Sequence, residues 1–112
     1  MSDGRLQVLS AIGLAKRAGK LVAGEMAVEQ QVRSGKAELL LIATDASAST
    51  IDRYQSMAAY YEVPWRFALN KNELGGAIGK ATRAAAVVTD KGLAAMVVKR
   101  LDEMERIASS QE

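Results

Sequence analysis

Five consecutive apolar residues, Leu39-Leu40-Leu41-Ile42-Ala43, constrain this chain more than any other segment. A membrane span takes about 20 apolar residues, and even a buried helix runs well beyond five, so the segment reads as a strand. A strand with no polar alternation is buried on both faces. The chain therefore has to supply layers on either side of a sheet, and its flanking segments have the periodicity to do so.

Leu6, Val8, Leu9, Ile12, Ala15 and Ala18 recur at helical spacing and predict an amphipathic helix over 5–18, stopped by Gly19. Leu21-Val22-Ala23 reads as a short strand closed by Gly24. Residues 25–34 form a second helix with Val28 and Val32 one turn apart, and Gly35 stands just past its end. After Asp45, the Ser/Thr cluster offers caps for a third helix, whose inward stripe is Ile51, Tyr54, Met57, Ala58 and Tyr61. Val63-Pro64 ends that helix, and 65–69 reads as a strand. Asn70 with Glu73 three residues on resembles a capping box and opens a short helix ending near Gly79. Residues 84–89 form a fourth strand. Ala94, Val97, Val98, Leu101, Met104 and Ala108 then stripe a last helix that begins near Gly92.

Helix then strand, four times over, followed by a helix, predicts an α/β fold: a three-layer α/β/α sandwich around a central mixed sheet of about four strands. The length of 112 residues suits one domain spanning 1–112, with 1–4 and 109–112 expected to fray.

The chain has no cysteine and no histidine. Disulfide frameworks, thiolate zinc sites, cysteine nucleophiles and imidazole chemistry are excluded, and no metal or cofactor is expected. The polar opening Met1-Ser2-Asp3-Gly4 has no apolar region for secretion, and no apolar run approaches a span; a cytoplasmic protein with no membrane partner is expected.

The net charge of +2 is small, but its distribution is uneven. Residues 1–36 carry net +3 and residues 80–100 net +4, against −2 over 37–79 and −3 over 101–112. If the fold joins the two positive stretches they form a basic face, the footprint of nucleic-acid binding; otherwise they are cations scattered for solubility.

Within the first stretch, Lys16-Arg17-Ala18-Gly19-Lys20 leaves a helix, crosses a turn and leads through Leu21-Val22-Ala23 to Gly24, where the next helix begins. Unpaired N–H groups at that helix start can meet phosphate oxygens, although Lys16 and Arg17 also suit a helix C-terminus. In the second, Gly79-Lys80-Ala81-Thr82-Arg83 is either a binding loop or a polar helix exit, and no GxxxxGK[ST] occurs. Two strands end in the same dipeptide, Thr44-Asp45 and Thr89-Asp90. Such acids can hold magnesium in an enzyme, but without a third carboxylate or a positioned base, helix capping is the preferred reading. Helical spacing and strand alternation assign the aromatic residues Tyr54, Tyr61, Trp65 and Phe67 to packing rather than base stacking.

Taken together, Leu14 to Glu25, Arg33-Ser34-Gly35-Lys36-Ala37, the apolar run 39–43, Glu73-Leu74-Gly75, Ala77-Ile78-Gly79-Lys80 and Val87-Val88-Thr89-Asp90-Lys91-Gly92 resemble the bacterial YlxQ-type proteins. These are relatives of the large-subunit ribosomal proteins seven-Ae and thirty-e, and the similarity covers roughly residues 5–100. The resemblance implies binding to kink-turn RNA, a sharply bent duplex with tandem sheared G·A pairs. There the start of the second helix enters the opened major groove, and the loop before the last strand covers an extruded base. Neutralising two phosphate backbones drawn together by a kink suits a basic face.

Gly24, Glu25, Gly79, Lys80 and Arg83 match the family pattern. Met26, Ala27 and Gln30 depart from it, standing where family members read guanines, and Met and Ala can neither donate to nor accept from a guanine edge. Thr82 and Ala84 are smaller than the apolar groups usual in the loop. The expected protein is therefore non-enzymatic and monomeric. It binds kink-turn, ribosomal or other bent RNA, with the ribosome as a candidate partner. Lys16, Arg17, Lys20, Arg33, Lys36, Lys80 and Arg83 would neutralise phosphates. Gly24 would permit close approach, Glu25 and Gln30 would offer polar contacts, Met26, Thr82 and Ala84 would pack on sugar or base, and Gly79 belongs to the same binding loop as Lys80 and Arg83. A protein-interaction module using Asp102, Glu103 and Glu105 on the last helix is the alternative, with a magnesium enzyme built on Asp45 and Asp90 behind it.

Overall fold

The structure, a computed structural model, describes residues 3–110. Its elements follow in the order α1 (Arg5–Arg17), β1 (Leu21–Ala23), α2 (Glu25–Arg33), β2 (Leu39–Ile42), α3 (Ala48–Tyr61), β3 (Trp65–Phe67), α4 (Lys71–Ala77), β4 (Ala85–Val88) and α5 (Lys91–Ser110). The strands form one mixed sheet in the order β1-β4-β2-β3. β4 runs antiparallel to both neighbours, pairing Val88 with Leu21 and Leu39, while β2 and β3 are parallel with Ile42 beside Phe67.

β2 and β4 occupy the centre, and every residue in them is buried. Successive side chains alternate between faces. Leu39, Leu41, Ala86 and Val88 thus join a core with Val8, Ile12, Leu74, Val97 and Leu101 from α1, α4 and α5. Leu40, Ile42, Ala85 and Val87 join a second core with Val28, Val32, Tyr54 and Ala58 from α2 and α3. This is the three-layer arrangement that the continuously apolar run requires.

Several expectations shift. Leu6 is 65% exposed and Ala18 is exposed, because α1 packs through Val8, Ala11, Ile12 and Ala15. Tyr61 is also exposed, in a T-shaped ring pair with Tyr60, and Ala108 lies outside the core. β3 stops at Phe67, two residues early. The chain still follows the sheet, as Ala68 N–H donates to the Ile42 carbonyl at 3.0 Å. Trp65 and Phe67 share one side of β3 and meet edge to face.

The Asn70–Glu73 capping box is present, and the Glu73 carboxylate also accepts from Nε and Nη2 along one edge of the Arg5 guanidinium. The fraying expected at 1–4 and 109–112 falls partly on residues 1, 2, 111 and 112, which lie outside the described residues. Gly4 is buried against Met104, and α5 is regular through Ser110.

Candidate nucleic-acid interface

The ends of the sheet decide which predicted site residues meet. β1 finishes at Ala23, opposite Ala86, and β2 finishes at Ile42, opposite Ala85. The turn into α2 therefore lies beside the turn into β4. Gly24, at φ 100° as the residue before α2, bends the chain there in a conformation that favours glycine. α2 has no side-chain cap, so its first N–H groups are left to solvent or a ligand. Gly24, Glu25, Thr82, Arg83 and Ala84, predicted from segments far apart in sequence, line one cavity of about 270 Å³.

Gly75 fixes the loop that delivers three of these residues. A β-carbon at Gly75 would lie 2.7 Å from Thr82 Cα and 2.8 Å from the Ala81 carbonyl oxygen. The 79–83 segment thus runs back across α4 in van der Waals contact with its backbone. Lys80 N–H donates to the Gly75 carbonyl at 2.8 Å and Arg83 N–H to the Lys71 carbonyl at 3.1 Å. Gly79 and Lys80 remain exposed at the start of this return, off the cavity wall.

The cavity also holds residues that sequence reasoning missed: Thr50, Arg53 and Tyr54 of α3. Arg53 Nη1 lies 2.8 Å from Glu25 Oε1, and its guanidinium stands 4.8 Å from the centre of the Tyr54 ring. Burial pushes the Tyr54 phenol above its usual range, against the pull of Arg53. Arg83 Nη1 donates to the Thr82 carbonyl at 2.6 Å. Its Nε is buried without an acceptor, the one such side-chain atom among the described residues. The only sequence signal for Arg53 was a cation directly before the inward-facing Tyr54.

Down the outer face of α2, Met26, Ala27, Gln30 and Arg33 line an open groove, and Met26 is 83% exposed. Arg33 is held at 3.0 Å by Glu29 one turn earlier. The remaining cations stand at the other end of the sheet. Thr89 N–H donates to the Lys20 carbonyl at 2.9 Å and Glu38 N–H to the Val88 carbonyl at 2.8 Å. Lys20 and Lys36 therefore flank the finish of β4, and Lys16 and Arg17 end α1 nearby; all four are exposed. The Lys16–Lys20 segment is separated from Gly24 by the length of β1, about 10 Å.

Asp45 and Asp90 both accept backbone N–H groups, as capping requires. Asp90 Oδ2 accepts Leu93 N–H at 2.8 Å at the start of α5. Asp45 serves α4 rather than α3, accepting Lys71 N–H at 2.8 Å, while Ser47 caps α3. Among the described residues no three acidic side chains gather to hold a metal ion.

Residues 7–98 match the Ribosomal protein L7Ae/L30e/S12e/Gadd45 family. The chain is 38% identical over 91 residues to the RNA-binding protein YlxQ of Bacillus subtilis, covering 81% of this chain and 91% of that protein. The Enterococcus faecium protein of the same name is 37% identical over 95 residues, covering 84% and 91%. A Bacillus halodurans protein of unknown function superposes with a TM-score of 0.81 at 32% identity, over 86% of this chain and 97% of its own. The Giardia lamblia 15.5kD RNA binding protein shares the fold, with a TM-score of 0.71 at 24% identity, over 96% and 92%.

Proposed function

The chain belongs to the Ribosomal protein L7Ae/L30e/S12e/Gadd45 family, and from that premise we propose that it is a non-enzymatic protein that binds bent, structured RNA. One observation carries the reading: the uncapped start of α2 and the 82–84 turn, remote in sequence, enclose one cavity at the end of the sheet. Helix N–H groups attract phosphate, and small residues at Gly24 and Ala84 let a nucleic-acid backbone come close. The α2 face then leads from the cavity toward Lys20 and Lys36, which neutralise flanking phosphates.

In this reading the protein acts in the cytoplasm as a monomer, on ribosomal or kink-turn RNA, and in association with translation. Met26 and Ala27 leave the guanine edges of sheared G·A pairs unread, so shape and charge dominate over base recognition. The acidic alternative on α5 gains little support. Asp102 and Glu105 are both engaged by Arg66, at 2.8 and 2.7 Å, and Glu103 pairs with Arg100.

A gel shift tests the reading, comparing a standard kink-turn RNA with the same RNA after replacement of its G·A pairs. Both should bind with steep salt dependence. The difference between them should be smaller than the ~1–3 kcal/mol that one bidentate base contact supplies. Absence of binding at low salt, or binding indifferent to salt, rejects the proposal.

A further inference from the structure

The Glu25–Arg53 pair sits on the wall of the cavity formed by α2, α3 and the 82–84 turn. Resting on the RNA-binding reading above, we propose that Arg53 binds a phosphate of the RNA backbone. Glu25 holds the place of that phosphate in the free protein.

Three features of the pair suit exchange. The Arg53 and Glu25 side chains remain 41% and 68% exposed, so water screens the attraction and separating them costs little. The guanidinium leans on the Tyr54 ring, whose buried position fixes it, and so keeps its location when its partner changes. A phosphate oxygen accepts from a guanidinium in the same geometry as a carboxylate, and as two parallel bonds where the approach is free.

The surroundings point the same way. Arg53 and Arg83 bring two guanidinium groups to the cavity and Glu25 brings one carboxylate, which opposes an incoming anion until it turns away. Arg83 adds a second positive charge to the wall that the phosphate would meet. Glu25 thus weakens binding overall and restricts it to RNAs whose backbone reaches Arg53 deeply enough to displace the carboxylate. Its role is opposite to that of a direct RNA contact.

Fluorescence anisotropy with a labelled kink-turn RNA separates the possibilities, using the full chain, Glu25→Gln, Arg53→Gln, Arg53→Lys and Lys20→Ala, with far-UV circular dichroism confirming that each folds. Glu25→Gln should tighten binding several-fold. Arg53→Gln should weaken it about tenfold and lower the salt slope by about 0.7–0.9. Arg53→Lys should fall between, keeping the charge and losing the planar fork. Weaker or unchanged binding by Glu25→Gln, or unchanged binding by Arg53→Gln, overturns the exchange while loss of affinity in Lys20→Ala leaves RNA binding standing. No binding by the unaltered chain overturns RNA binding itself.

Discussion

Where β1 and β2 finish, the sheet ends in a cavity whose charges are already engaged: Arg53 by Glu25, and Arg83 in part by its own neighbour's carbonyl. At the opposite end Lys16, Arg17, Lys20 and Lys36 stand in solvent, with no ion pair to any of them among the described residues. The first arrangement is shaped and partly neutralised, so it favours ligands that fit. The second is open and unneutralised, so it attracts any phosphate backbone within a Debye length. α2 joins them, and its exposed Met26 and Gln30 form the ground between. Selectivity should therefore reside at the cavity end and bulk affinity at the open end.

Gly75→Ala strikes the cavity end hardest. Its β-carbon has to displace the backbone of Thr82, which should cost ~1–3 kcal/mol and lower Tm by about 4–8 °C per kcal/mol in a calorimetric scan. Binding by the displaced loop should lose its preference among RNAs while staying salt-dependent. An unchanged Tm contradicts the close approach.

Lys16→Ala and Lys20→Ala strike the other end. Each should lower the salt slope by about 0.7–0.9 and weaken binding to kink-turn and substituted RNA alike. A change in the ratio of the two affinities would show that the open end discriminates, and the division between the ends would fail.

A smaller effect should follow from Glu73→Gln, which disturbs the base of α4 and so the loop beyond it. The hydrogen bond from Arg5 holds the Glu73 carboxyl below its usual range, despite partial burial. A lowered folded-state pKa means stability that is fully present above the unfolded value and lost as pH falls through the folded one. Urea titrations should show the variant less stable by about 0.5–1 kcal/mol near neutrality and converging with the wild type in acid. A constant difference across pH would remove the carboxylate from the explanation.

The smallest change belongs to Asp45→Asn, whose amide oxygen can still accept Lys71 N–H; stability should move by no more than about 0.5 kcal/mol. Magnesium should shift neither protein's Tm. A metal-dependent rise lost in the variant would revive the enzyme reading.

Much of the layer order was legible because each core uses one periodicity at a time. Residues 39–42 and 85–88 lack polar alternation and lie at the centre, whereas Val28 and Val32 announce a single buried helix face. Periodicity names a face but not what covers it, which is why Leu6 and Tyr61 lie on predicted inward stripes and are nevertheless exposed. Trp65 to Leu69 looked uniformly strand-like, but only three residues pair with β2 in the ladder. At the site, Gly24 and the 82–84 turn were legible separately. The sequence did not show that Asp45 would reach forward to α4, or that Glu25 would meet Arg53, since both depend on how helices cross. The distance from Lys20 to Gly24 was implicit in a three-residue strand, which places its ends apart rather than together.

Mapping the amide resonances of ¹⁵N-labelled protein during titration with a kink-turn RNA tests whether one RNA face runs from the cavity to the open end. Shifts are expected at Gly24 to Ala27, at Gln30 and Arg33, at Thr82 to Ala84, and at Lys16 to Lys20, with Asp102 to Arg106 unmoved. Shifts confined to α5, or absent from either end of the sheet, would contradict that face.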